Sequence, residues 1–283
     1  MKPPPFLYAR PETLEQAIDL LSQSGEDAKV LAGGQSLVPL LNFRLARPSV
    51  LIDLNMIPEL RSLSRNNGTL HVGAMVRQRT AELSSEVQNG CPLIPRALSF
   101  VGHLQIRARG TVGGSMAHAD PAAELPAVAL VTGAEFVARS HRGERVIPAD
   151  EFFDGPFMTT LAPDEVLTEV RFPATEGLRA GFMELARRSG DFALGGVAAL
   201  VQVDDGEVSD VRLASLGLGP SAQRLSGAED AVRGRRLTEE TLADAAAAAS
   251  AEVDPFTDVH ADAEYRKELA GTLVRRVLKE VSA

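Results

Sequence analysis

The chain has 283 residues, 45% apolar and 24% charged, the balance of a globular protein with room for one large core or two ordinary ones. Its formal net charge is −9 and no basic run stands out, which argues against nucleic acid or an anionic membrane as partner. A single cysteine, Cys91, excludes an internal disulfide and an iron–sulfur cluster held by this chain alone, reads as a small buried residue, and suits a reducing cytoplasm.

The opening Met1-Lys2-Pro3-Pro4-Pro5-Phe6 lacks the apolar core of a signal peptide, and no window approaches the roughly 18–20 apolar residues of a membrane span. Thr13 and Gln16 form a capping-box pattern, and Leu14, Ala17, Ile18 and Leu21 then recur at helical spacing up to Gly25. Residues 28–32 read as a strand ending in Gly33-Gly34, 37–45 as a short helix before Pro48, and 50–54 as the next strand. This is a small βαβ-like unit over residues 1–55.

Residues 56–174 mix strands at 70–74, 135–139 and 166–172 with helices at 78–83, 92–100 and 122–131. The glycine-rich stretch 106–118 reads as turns with short strands. From about residue 175 come three strands, 181–186, 196–203 and 208–216, the last two joined by the hairpin turn Asp204-Asp205-Gly206. Helices over 221–232, 238–250 and 262–281 complete an α+β unit spanning 175–283, its alanine tract 245–249 reading as plain helix.

Two glycine loops carry most of the chemical information: Ala32-Gly33-Gly34-Gln35-Ser36-Leu37 and Thr111-Val112-Gly113-Gly114-Ser115. Glycine has no Cβ and tolerates positive φ, so backbone amides can converge on an anion such as a pyrophosphate. A helix start after the loop adds unpaired donors, and the Ser36, Thr111 and Ser115 hydroxyls can add more. Neither loop is the Rossmann or the Walker pattern. A Gly-Gly pair is more often an ordinary turn than a ligand site, so the residues alone support an anion or cofactor cradle and no more. The five histidines show no metal-ligand spacing, and no Ser–His–Asp arrangement stands out.

The loops have company in sequence: Gln105-Ile106-Arg107-Ala108-Arg109-Gly110 leads into the second, and His118-Ala119-Asp120-Pro121-Ala122-Ala123-Glu124-Leu125-Pro126 follows it. With Phe6-Leu7-Tyr8-Ala9-Arg10-Pro11 and Arg187-Arg188-Ser189-Gly190-Asp191-Phe192-Ala193, in this order and over nearly the whole chain, they resemble the FAD-binding medium subunits of molybdenum hydroxylases, such as carbon monoxide dehydrogenase and the split-subunit xanthine dehydrogenases. The resemblance implies a two-part FAD-binding fold of the vanillyl-alcohol-oxidase type plus a C-terminal α+β domain with a three-stranded sheet. It implies FAD as cofactor, a small two-iron two-sulfur subunit and a large molybdopterin subunit as partners, and a dimer of heterotrimers.

Carried over position by position, the resemblance assigns cofactor contacts to Leu31, Ala32, Gly33, Gly34, Gln35, Ser36 and Leu37, and to Thr111, Gly113, Gly114 and Ser115. It adds Glu124 as an acceptor for cofactor hydroxyls, Leu161, the basic Arg188 beside Arg187, and Phe192 near the flavin ring. Gln35, Ala108 and Ser115 depart from the residues commonest in relatives. Arg107 and Arg109 read either as surface ion pairs or as phosphate or subunit contacts, and Arg188 either as a charge near the flavin or as an ion pair with Asp191. A self-contained flavin oxidase or dehydrogenase is the alternative, and it needs an acid or base over the ring for which the sequence offers no obvious candidate.

Overall fold

The computed structural model describes residues 2–282; Met1 and Ala283, the ends of the first and third expected units, lie outside the described residues. The first unit runs β1 (Leu7–Ala9), α1 (Leu14–Ser24), β2 (Ala28–Leu31), α2 (Leu37–Asn42), β3 (Val50–Asp53). Its three strands form a parallel sheet in the order β1-β3-β2. Thr13 Oγ1 accepts from the Gln16 amide at 3.3 Å, but Gln16 Oε1 reaches back one residue further than a capping box requires and accepts from the Glu12 amide. Leu14, Ala17, Ile18 and Leu21 are buried against Ile52, Leu54 and Ile57. Helix α2 stops three residues before the expected end; Arg44 just beyond it takes a left-handed φ of 61°.

The second unit runs β4 (Leu63–Asn66), β5 (Thr69–Gly73), α3 (Gln78–Leu83), α4 (Ser85–Gly90), α5 (Leu93–Leu98), α6 (Leu104–Arg109), α7 (Val112–His118) and α8 (Glu124–Thr132). It continues with β6 (Glu135–Ser140), β7 (Gly143–Pro148), α9 (Ala149–Phe152), β8 (Phe153–Gly155), β9 (Met158–Thr159) and β10 (Val166–Pro173). Five of its strands make an antiparallel sheet, β4-β5-β10-β6-β7. Every residue of α8 is buried. Cys91 is buried as expected, which pushes its thiol up to about 11.

The stretch 106–118 is not made of turns. It holds most of α6 and all of α7, separated at Gly110-Thr111. Thr111 caps α7, its Oγ1 accepting from the Gly114 amide at 3.0 Å. Gly113 lies inside the helix because a Cβ there would sit 2.4 Å from Cβ of Ala74. The glycines thus serve close packing, where the sequence pattern suggests chain reversal.

The third unit runs β11 (Arg179–Ala186), β12 (Ala193–Asp204), β13 (Glu207–Leu216), β14 (Gln223–Arg224), α10 (Ser226–Val232), α11 (Glu239–Glu252) and α12 (Ala263–Ser282). The three long strands are those expected; β14 adds a short fourth at the edge, so the helix expected from residue 221 starts only at Ser226. Asp205 (φ 53°) and Gly206 (φ 85°) form the left-handed turn that joins β12 to β13. Val197, Ala199 and Val201 face the three helices, whereas Ala198 and Leu200 join the core around α8. Among the described residues, no helix is long and apolar enough to cross a membrane.

Candidate functional site

The two glycine loops, separated by some eighty residues in sequence, pack directly on each other. A Cβ on Gly33 would lie 2.5 Å from the Arg109 carbonyl oxygen and 2.7 Å from Cα of Gly110. A Cβ on Gly114 would lie 3.3 Å from Cβ of Ala32. Side chains well outside both loops tie them together. Asn55 Nδ2 donates to the Ala32 carbonyl at 2.9 Å, and Arg77 donates to Asn55 Oδ1 at 2.5 Å and to the Arg109 carbonyl. Asp53, held by the Tyr8 hydroxyl at 2.5 Å, orients Asn55 by accepting from its amide at 2.9 Å. Gln78 donates its amide to the Gly110 carbonyl at 2.9 Å.

The loops differ in what they offer a ligand. In the second, the Val112 and Gly113 amides already donate to the Val76 and Ala74 carbonyls, and the Gly114 amide to Thr111. Its groups without an acceptor among the described residues are the Thr111 amide, the Thr111 hydroxyl proton and the Ser115 hydroxyl. In the first, the amides of Gly33, Gly34, Gln35 and Ser36 find no acceptor among the described residues. Gly34 takes φ +73°, in the left-handed region that only glycine enters freely. Gln35 donates its side-chain amide to the Gly33 carbonyl at 3.1 Å and so stiffens the loop, while Leu31 ends β2 and Leu37 begins α2 on its two sides. Helix α2 has only six residues, so the unpaired amides matter here more than any helix dipole.

Arg77, bonded to the Arg109 carbonyl on which Gly33 packs, brings a cation to this point in a chain of net negative charge, and Arg109 and Arg61 lie near enough to act on it. Arg77 is held below its ordinary pKa, first by burial and then by the nearby charges of Arg109 and Arg61. Arg61 donates to the Asn55 carbonyl. An anion beside the four amides relieves that mutual repulsion, which fits the phosphates of a dinucleotide. Asn55, Arg61 and Arg77 carry no motif in the sequence; only the fold brings them to the loops.

Helix α6 joins this cradle to the Arg187–Phe192 loop. Its C-terminal end packs on Gly33, and at its N-terminal cap the His103 ring lies against Gly190, where a Cβ would come within 2.2 Å of it. No residue of α6 is buried; Leu104 and Ile106 are exposed. Arg107 turns to Glu82, at 3.0 Å, and to the Val101 and Gly102 carbonyls, so it serves structure. Phe192 is 75% exposed, with its loop beside α6. Arg188 is exposed and shares only a backbone turn with Asp191, whose amide donates to the Arg188 carbonyl; among the described residues the expected ion pair does not form. Arg187 contacts Nδ1 of His260 at 3.0 Å. Leu161 packs against the second unit's core. Glu124 is buried at the start of α8, and burial together with Glu184 pushes its pKa up to about 8.

Residues 4–175 match the family described as the FAD binding domain in molybdopterin dehydrogenase, and residues 180–281 match the CO dehydrogenase flavoprotein C-terminal domain. The chain belongs to this FAD-binding family. Among relatives, the family includes the 6-hydroxypseudooxynicotine dehydrogenase complex subunit alpha of Paenarthrobacter nicotinovorans, 42% identical over 98% of this chain and 95% of that one. It also includes the carbon monoxide dehydrogenase medium chain of Hydrogenophaga pseudoflava, 39% identical over 98% and 97%. Among solved structures, quinoline 2-oxidoreductase from Pseudomonas putida 86 contains a chain with TM-score 0.96 and 38% identity, over 100% of this chain and 98% of that one. As a member of the family, the chain is a flavoprotein component of an oxidoreductase, its cofactor is FAD, and its relatives are subunits of larger complexes. The expected fold class and cofactor are thus borne out.

Proposed function

We propose that this chain is the electron-relay subunit of a heteromeric molybdenum hydroxylase, working with a small two-iron two-sulfur subunit and a large molybdopterin subunit, in a cytoplasmic dimer of heterotrimers. Bound FAD supplies reversible electron storage between the partner's clusters and an external acceptor. The chain's own residues bind and orient. The amides of Gly33–Ser36, with Arg61, Arg77 and Arg109 around them, take the pyrophosphate. Ser115 and Thr111 add hydroxyls from the facing loop, Leu31, Ala32, Leu37 and Leu161 line the site, and Arg188 and Phe192 belong at its flavin end. Residues 1–55 and 56–174 act as the two halves of the FAD fold, with 175–283 as the third domain.

The four unbonded amides beside three arginines carry the reading: an anion cradle in which, among the described residues, the protein leaves donors unmatched. The relatives' printed names support the division of labour. Proteins about equally similar to this chain are named for carbon monoxide, for quinoline and for 6-hydroxypseudooxynicotine. Substrate choice therefore fits a partner chain better than this one.

The test is to produce the chain alone and with its partners. Alone it should be yellow, release FAD on denaturation, and keep its flavin oxidised when offered organic substrates. With both partners, substrate should bleach the flavin. A colourless chain without affinity for FAD, or bleaching by substrate without partners, would overturn the proposal, the latter in favour of a self-contained flavin enzyme.

A further inference from the structure

Among the described residues, two neighbouring carboxyls lack a partner, one on a buried residue, Glu124, and one on a half-buried residue, Glu184. Glu124 opens α8, and Glu184 lies on β11, in the sheet that packs on α8. Glu124 is only 9% exposed, and among the described residues no other residue donates to its carboxyl. Glu184 Oε2 is buried and unbonded. The two are close enough for the charge of Glu184 to bear on Glu124, and Asp120 adds a further negative charge. The cation that reaches Glu124 electrostatically is Arg107, already bonded to Glu82 through Nε at 3.0 Å and Nη2 at 3.3 Å.

Buried acids elsewhere in this fold are matched. Glu229 accepts from Arg224 at 2.7 and 2.8 Å and from the Leu213 amide at 2.8 Å. Glu165 accepts from Arg145 at 2.7 and 2.8 Å and from the Ala162 amide at 2.8 Å. A buried carboxyl without donors is costly to keep, and such groups persist where the donors come from outside the chain. A protonated carboxyl beside an ionised one offers both a donor and acceptors, which matches the hydrogen-bonding character of a vicinal diol.

We propose that Glu184 and Glu124 form a two-carboxyl grip on hydroxyl groups of the bound FAD, which makes Glu184 a cofactor-contacting residue in addition to the glycine loops. The grip rests on the assignment of FAD to this chain. It extends that site from the second unit to β11 of the third, so cofactor loading also ties these two units together. FAD carries vicinal hydroxyls in its ribityl chain and in its ribose, and the same chemistry serves for either.

The experiment uses the full chain stripped of flavin, as wild type, Glu184→Gln and Glu184→Leu, titrated with FAD, FMN and ADP. Thermal midpoints of the unloaded proteins are measured in parallel. FAD affinity is expected to fall about 10- to 100-fold, the value of a hydrogen bond to a charged group. The unloaded variants should melt no lower than wild type, because an acid with a buried, unbonded oxygen has been removed. Loss of FMN affinity with ADP unchanged supports a grip on the ribityl chain; loss of ADP affinity supports the ribose. Unchanged affinity for FAD overturns the grip. So does an affinity loss that only follows a lowered melting midpoint, or failure of even the near-isosteric Gln variant to fold, since both mark a structural role. A wild-type chain that binds no FAD overturns the FAD assignment itself, and the grip with it.

Discussion

At the scale of single residues, Gly33 and the carboxyls of Glu124 and Glu184 are the most exacting positions. Gly33 is where the two halves of the cradle touch, and both atoms that a Cβ would strike belong to backbone. Gly33→Ala must push the second loop away from the first. Overpacking of this kind costs about 1–3 kcal/mol. FAD affinity, read by quenching of flavin fluorescence, should fall about tenfold or more, because the loops part where the anion sits.

The carboxyls make the unloaded protein sensitive to alkali. Burial, reinforced by Glu184, brings Glu124 up to about 8, and burial brings Glu184 to about 7. The folded chain therefore holds protons at neutral pH that the unfolded chain has released. Their contribution to stability is complete below the ordinary carboxyl range, near pH 4, and is lost as pH rises toward about 8. The melting midpoint of the flavin-free chain should drop between about pH 5 and pH 8, and the double variant Glu124→Gln, Glu184→Gln should show a shallower drop.

At the scale of elements, the clamp from Tyr8 through Asp53 and Asn55 to Arg77 sets how the loops lie. Asn55→Ala removes the donor to the Ala32 carbonyl and leaves Arg77, half-buried, with one partner fewer. Loss of such buried bonds costs about 1–3 kcal/mol. Calorimetric titration should show weaker FAD binding than any fall in melting midpoint explains, since the clamp acts on loop geometry. The clamp was not legible in the sequence: Asn55 and Arg77 lie 23 and 45 residues from Ala32 and share no motif with it. Helix α3 was legible to the residue, and so was the β12–β13 turn, because periodicity and Asp-Gly chemistry are local signals. Helices α6 and α7 were not, because Gly110, Gly113 and Gly114 answer to neighbours such as Gln78 and Ala74 that only the folded chain supplies. Strands β1, β4, β7 and β14 escaped notice too, being short or polar edge strands whose partners lie elsewhere in the chain. The placing of the loops as a pair came from family resemblance; their physical inequality, four unbonded amides in one and only that of Thr111 in the other, came only from the structure.

At the scale of the whole molecule, the proposed cofactor path draws on three sheets. In that proposal the first unit brings unpaired amides, the second the facing loop and α8, and the third the Arg187–Phe192 loop and β11. Helix α6 spans the gap between the two ends of that path, about 9 Å at the usual rise of a six-residue helix. It does so with no buried residue of its own and is pinned at its two termini and through Arg107, which bonds Glu82. A segment without a core of its own opens easily, and its resistance to opening must be borrowed. The cofactor is the natural lender. Amide hydrogen exchange over residues 104–109 should be among the fastest in the helices of the flavin-free chain and should slow markedly on loading. Equal exchange rates in the two forms would show that α6 is held by its ends and Arg107 without help from the cofactor. On this view FAD would complete a helix–ligand interface, and a newly made chain would order α6 fully only as it acquires its colour.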